Sequence, residues 1–114
     1  MPLPLPLPNS GKQQQFDSGA VRDTHEGKGR YDLIPAGALK AVAIRYQQGA
    51  EAYGERNWEK GMPVGRLIDS AIRHLYAHLS GCRKEDHLSA AAWNALGAHE
   101  MQSREDARNT EKPS

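Results

Sequence analysis

The residues whose chemistry stands out are carboxylates at short spacings. Glu51 and Glu55 lie four apart, Asp69 is flanked by arginines, and Glu85-Asp86 form a doublet. Residues four apart share a helix face, and hard oxygen donors suit Mg²⁺ or Mn²⁺, cations that in turn hold phosphates. Glu51, Glu55, Asp69 and Asp86 are therefore candidate ligands for such an ion, and Asp69, Glu55 and Asp86 are the candidates for activating a water. The ordinary alternative is that helix-surface acids pair with Arg56, Arg73 or Lys84 or stay solvated. Asp86 in a first turn would simply answer the helix dipole. Asp69 has Arg66 at i−3 and Arg73 at i+4, the spacing of a largely buried Arg-Asp-Arg lattice that is either structural or ligand-facing.

Cations and rings suited to a nucleotide are spread along the chain. Lys28, Arg30, Arg45, Lys60, Arg66 and Arg73 can each meet phosphate oxygens with charge-assisted bonds, and Tyr31, Tyr46 and Trp58 can stack on a base. Taken singly, such residues are more often solvated cations or core aromatics. His74 and His78 stand at i and i+4, a zinc-chelating spacing, with His87 further on. No third ligand is evident, which leaves polar packing or phosphate contact as the reading for His74 and His87. Gly27-Lys28-Gly29-Arg30 lacks the preceding strand and the spacing of a P-loop.

The elements that must position these groups are helical. Pro35 suits a helix's first turn, and from it Leu39, Val42, Ala43, Tyr46, Ala50 and Tyr53 recur at steps of three and four up to a stop at Gly54. Glu55 to Pro63 is polar, carries Gly and Pro, and predicts a loop with room for a short extra turn. Leu67, Ile68, Ala71, Ile72, Leu75 and Leu79 mark a second helix over about 64–80, broken by Gly81. Leu88, Ala91, Ala92, Ala95, Leu96 and Ala98 mark a third over about 84–101. No run alternates long enough to predict a strand. The fold class is all-α, a small bundle of three main helices.

Around that bundle the chain changes character. Residues 1–8 alternate Met or Leu with Pro, and a segment lacking every second amide hydrogen reads as an extended arm. Residues through Gly29 are polar and Gly-rich, a clasp with too few apolar groups to offset its ordering entropy. The helical domain is expected over 30–102, and 103–114 is a polar tail in which the last helix should fray. Roughly 70 residues make a small core, so a homo-oligomer is expected. One cysteine permits no internal disulfide and fits a reducing cytoplasm. No apolar run suggests a membrane span, and 15 basic against 14 acidic side chains argue against duplex nucleic acid as a partner.

Several blocks resemble a known family in their order. Ser18-Gly19-Ala20-Val21-Arg22-Asp23 and Gly27 to Pro35 open the match; Tyr53-Gly54-Glu55-Arg56-Asn57-Trp58, Arg66 with Asp69 and Arg73-His74 continue it. Glu85-Asp86-His87-Leu88 and Ala92-Trp93-Asn94-Ala95-Leu96 close it. Over about residues 18–100 the chain resembles the phage dATP/dGTP diphosphohydrolase N-terminal-domain family. The resemblance implies a small-molecule nucleotide partner, a Mg²⁺-dependent cleavage of purine deoxynucleoside triphosphates in the cytoplasm of an infected bacterium, and a nucleotide site drawn from Lys28, Arg30, Tyr31, Arg45, Asn57, Trp58, Arg66, Arg73, His74, His87 and Asn94. Related MazG-like pyrophosphohydrolases carry Glu-Glu-x-x-Glu on one helix and Glu-x-x-Asp on the next. Here Glu51-x-x-x-Glu55 and Asp69 stand in their place, which departs from both halves of that signature. The sequence thus leaves open an enzyme that uses Mg²⁺, a cofactor-free protein that sequesters a host immune signalling nucleotide, and a purely structural or partner-binding helical oligomer.

Overall fold

A computed structural model describes residues 13–23 and 26–111. The Leu-Pro arm read at residues 1–8 and the terminal Lys112-Pro113-Ser114 lie outside the described residues. The described chain divides into two compact units at the Pro35–Ala36 junction.

Among the described residues the one departure from an all-α pattern lies in the N-terminal unit, a two-stranded antiparallel hairpin of β1 (Gln13–Gln15) and β2 (Val21–Asp23), with Gln14 opposite Arg22. Periodicity did not reveal it because neither strand has an apolar face to bury. Turn chemistry sets it instead. The Gly19 amide donates to the Phe16 carbonyl and the Phe16 amide to the Ala20 carbonyl, each at 2.8 Å. Gly19 sits at φ 91°, the left-handed position that a three-residue hairpin loop assigns to glycine. A 3₁₀ turn, Tyr31–Leu33, follows.

The helical unit consists of α1 (Ala36–Tyr53), a 3₁₀ turn (Asn57–Lys60), α2 (Val64–Leu79) and α3 (His87–Glu111). α1 stops where expected, with the Gly54 amide on the Ala50 carbonyl at 2.8 Å and Gly54 at φ 95°. α2 ends in a Schellman motif: the Cys82 amide reaches the Ala77 carbonyl and the Gly81 amide the His78 carbonyl, both at 3.0 Å, around Gly81 at φ 97°. α3 starts later than the periodicity suggests because Asp86 caps it, accepting from the Ser89 amide at 3.0 Å and from the Ser89 hydroxyl. α3 also continues well past Met101, through residues expected to fray. Met101 and Ser103 are buried there, and Gln102–Asp106 and Arg104–Glu100 pair at helical spacing.

α2 and α3 form the main packing and α1 lies on α3. The core is modest: Leu67 and Ala71 of α2 and Ala90, Ala91, Ala98 and Met101 of α3 are buried, and Trp58, Met62 and Val64 pack against the Leu67–Ala98–Met101 cluster. Four of the six residues in the apolar stripe expected on α2 are not in this core. Ile68, Ile72, Leu75 and Leu79 are exposed, because α3 covers the Leu67–Ala71–His74 side instead.

Candidate functional site

A cleft of about 530 Å³ lies in the helical unit, bordered by α1, the 3₁₀ turn and α3. Four aromatic rings line it: Tyr46 and Tyr53 from α1, Trp58 from the turn and Trp93 from α3, with Glu55, Arg56 and Asn57 at its polar side. Tyr46 and Tyr53 are seven apart and so share a face of α1. Trp93 is held from three sides. Its ring meets Tyr46 edge-on at 5.9 Å between centroids, Arg45 lies 5.5 Å over it, and Gly49 lets it approach the α1 backbone. A Cβ on Gly49 would come within 3.3 Å of Trp93 Cζ2.

Trp58 owes its position to backbone that few side chains adopt. Arg56 begins the 3₁₀ turn at φ 58°, a left-handed conformation unusual for a residue other than glycine, and its guanidinium bonds Glu59 at 2.7 Å. Arg104 of α3 then clamps the turn, donating to the Glu59 carbonyl at 3.0 Å while lying 5.5 Å over the Trp58 ring. A small inner cavity of about 60 Å³ shares Tyr46, Trp58, Met62 and Trp93 and adds Asn94. Asn94 is buried, with its amide nitrogen on the Ala90 carbonyl at 2.8 Å. Burial raises the Tyr46 phenol above its usual value.

The cleft thus gathers Glu55, Asn57 and Trp58, and Asn94 borders it. Tyr53, Trp93, Gly49, Arg56 and Arg104 were missed as site residues. Their signal was present as two tyrosines and a glycine on one helical face, but Tyr53 reads as core by periodicity and Arg104 as tail by composition.

The expected carboxylate ligands do not gather. Glu51 is bonded by Gln47 at 3.2 Å, Asp69 pairs with Arg73 at 3.3 Å on the exposed side of α2, and Asp86 is the α3 cap. Among the described residues these acids form no group of three able to reach one ion. Arg73 also donates to the Ser70 hydroxyl at 2.9 Å. Both members of the Asp69–Arg73 pair are more than half exposed, and Arg66 is exposed as well; in this chain the Arg-Asp-Arg lattice is not buried. Lys28, Arg30 and Tyr31 belong to the N-terminal unit, where Arg30 makes a two-pronged bond to Asp32 at 2.8 and 2.7 Å and Tyr31 is exposed.

A second polar cluster lies where the α2–α3 loop meets α2. His74 and His87 face each other through their Nδ1 atoms at 2.9 Å, and each Nδ1 is 3.5 Å from Glu85 Oε1. His87 Nε2 lies 3.2 Å from Cys82 Sγ, and Arg45 sits 3.6 Å from Glu85 Oε2. Burial lowers the His74 pKa; Glu85 opposes this, while His87, Arg45 and Arg73 add to it. Hydrogen bonds from the Ser89 side chain and amide hold the Asp86 carboxyl below its ordinary value.

No helix of the described residues is long and apolar enough to cross a membrane. No curated protein and no solved structure matches the chain. The family model for the dATP/dGTP diphosphohydrolase N-terminal domain matches residues 18–111, and with most of its length so matched, cleft and loop cluster included, the chain belongs to that family.

Proposed function

We propose that this chain binds a purine deoxynucleoside triphosphate with the base in the α1–α3 cleft, as the nucleotide-holding part of a dATP/dGTP diphosphohydrolase. The observation that carries the reading is the convergence of Tyr46, Tyr53, Trp58 and Trp93 on one cleft, whose volume falls in the ~300–1,000 Å³ range of small-molecule sites. Aromatic faces take a base at ~1–3 kcal/mol of stacking each, and the Asn57 amide and Glu55 carboxylate offer a donor and acceptors for its edge. The family's name supplies the substrate class and the reaction. Mg²⁺ enters this proposal as the counter-ion of the triphosphate, since the described carboxylates form no three-ligand group. That same observation favours a second reading, in which the nucleotide is held without turnover.

Tryptophan fluorescence titrated with dATP, dGTP, dCTP and dTTP in the presence of Mg²⁺, with product chromatography on the same mixtures, tests both. Purine-dependent quenching that weakens roughly ten- to a hundredfold in Trp58→Ala, the loss of one stacking partner, is the expected result. Release of dNMP and pyrophosphate identifies the enzyme, and tight binding with unreacted ligand identifies the sequestering protein. Absence of any response at millimolar nucleotide overturns the proposal.

Assembly is part of the proposal, because Ile68, Ile72, Leu75 and Leu79 form an exposed apolar stripe and none of the large described side chains is fully buried. A second copy of the chain is the occupant expected on that stripe. Light scattering across a dilution series should show a dimer or larger that Ile72→Glu with Leu75→Glu reduces to a monomer; a wild-type monomer at every concentration would refute it.

A further inference from the structure

We propose that His74, Glu85 and His87 form a binding site for one zinc-class divalent cation, through the two Nδ1 atoms and one carboxylate oxygen, with a fourth position left open. This inference does not rest on the nucleotide reading, and it concerns a different set of residues from the aromatic cleft.

The geometry is that of three corners of a tetrahedron. The three donor atoms form a triangle with edges of 2.9, 3.5 and 3.5 Å. The point equidistant from them lies about 1.9 Å from each, against zinc–nitrogen distances of ~2.0–2.1 Å and zinc–oxygen distances of ~2.0–2.2 Å. An ion at those distances sits less than an ångström out of the plane of its ligands, as in a tetrahedral site with one vacant corner. His₂Glu is a ligand set that zinc uses with a water or substrate in the fourth place.

The surroundings supply what such a site needs beyond its ligands. A metal-bound histidine usually donates its other ring N–H to an acceptor, which fixes the tautomer. Cys82 Sγ stands 3.2 Å from His87 Nε2, so a proton on Nε2 leaves the His87 Nδ1 lone pair turned toward His74 and Glu85. Cys82 itself is not one of the three grouped ligands. Arg45 engages the opposite carboxylate oxygen of Glu85 at 3.6 Å and so leaves Oε1 to the ring nitrogens. The ligands are also held by the local fold: the Schellman turn at Gly81 and the Asp86 cap fix both ends of the loop that carries Cys82 and Glu85. Glu85 also borders an open groove with Arg45 and Gln48, which gives an ion a route in. His74 and His87 are largely buried and Glu85 is 42% exposed.

The donor set selects the metal. Two imidazoles and one carboxylate suit zinc and its neighbours, whereas Mg²⁺ prefers oxygen ligands throughout. Without an ion, two facing Nδ1 atoms must share a single proton. A cation satisfies both lone pairs and the carboxylate together.

The test uses the full chain, untagged, stripped by a chelator and titrated with zinc chloride against a chromophoric zinc chelator. One equivalent of zinc should bind, a parallel cobalt titration should give the intense visible bands of tetrahedral Co²⁺, and magnesium should not compete. Glu85→Gln, at a half-exposed position that leaves the fold intact by circular dichroism, and His74→Ala should each weaken zinc binding by more than the ~10–100-fold that loss of an outer-shell partner costs. Cys82→Ala should fall within that ~10–100-fold range. His78→Asn, which removes the i+4 partner of His74, should change nothing. The proposal is overturned by substoichiometric zinc, by affinity that survives both Glu85→Gln and His74→Ala, or by affinity lost in His78→Asn instead.

Discussion

The aromatic cleft and the histidine–glutamate cluster share α3 and the side chain of Arg45, yet they are assembled in opposite ways. The cleft draws Tyr46, Trp58 and Trp93 from three distant stretches of chain, and its walls exist only because α1, the 3₁₀ turn and α3 pack together. The cluster takes Glu85 from a short loop with a defined cap at each end and His87 from the first turn of α3 just after it, and needs only His74 from farther away. A site made by long-range packing fails when a packing group is removed. A site made by local hydrogen bonds tolerates that loss and fails when its turn or cap is broken.

The largest effect should follow from removing the ring that both α1 and the cleft rely on. Trp93→Ala takes away the partner of Tyr46 and Arg45 and should destabilise the fold by about 3 kcal/mol, within the range for large-to-small aromatic changes, as read by denaturant unfolding. Gly49→Ala tests the same wall more gently. Its Cβ would meet Trp93 at 3.3 Å, so nucleotide affinity should fall while the circular dichroism spectrum stays that of the parent; unchanged affinity would place the base elsewhere.

Breaking the local site should cost less. Asp86→Ala removes the acceptor for the Ser89 amide and should cost about 1 kcal/mol, typical of a helix N-cap. Asp86→Asn keeps a capping oxygen and should recover most of it. If the two variants melt alike, capping is not what holds the start of α3.

Proton linkage separates the regions further. Burial raises the Tyr46 pKa in the folded chain, so its contribution to stability is complete below the unfolded value of ~10 and is lost as pH rises through the folded one. Melting temperatures of wild type and Tyr46→Phe should therefore diverge above about pH 10, with the wild type falling faster. Parallel curves would show that the cleft does not desolvate this phenol.

The smallest effect is expected at Asp69. Its pair with Arg73 is exposed and spaced i,i+4, an arrangement worth ~0.3–0.5 kcal/mol, so Asp69→Asn should barely move the melting temperature. Turnover lost with the fold retained would make Asp69 a catalytic residue after all. Altered affinity without turnover would make it an orienting group for its arginines.

By itself the sequence determined the helical class, the three helices, the stops at Gly54 and Gly81, and the family. Each of these is written in near-neighbour chemistry: apolar residues at steps of three and four, glycines where a left-handed residue ends a helix, and ordered blocks such as Tyr53 to Trp58. The tertiary structure decided which residues meet. Periodicity gives a helix its apolar faces but not the neighbour that covers them, so Leu67 and Ala71 are buried while Ile68 and Ile72 are exposed. Composition marks Ser103 onward as polar, yet Arg104 reaches back to clamp Trp58. Spacing pairs His74 with His78, one turn away on the same helix. The chain's return after Gly81 pairs it with His87 and Glu85 instead, because a loop reversal brings together side chains that no helical repeat relates.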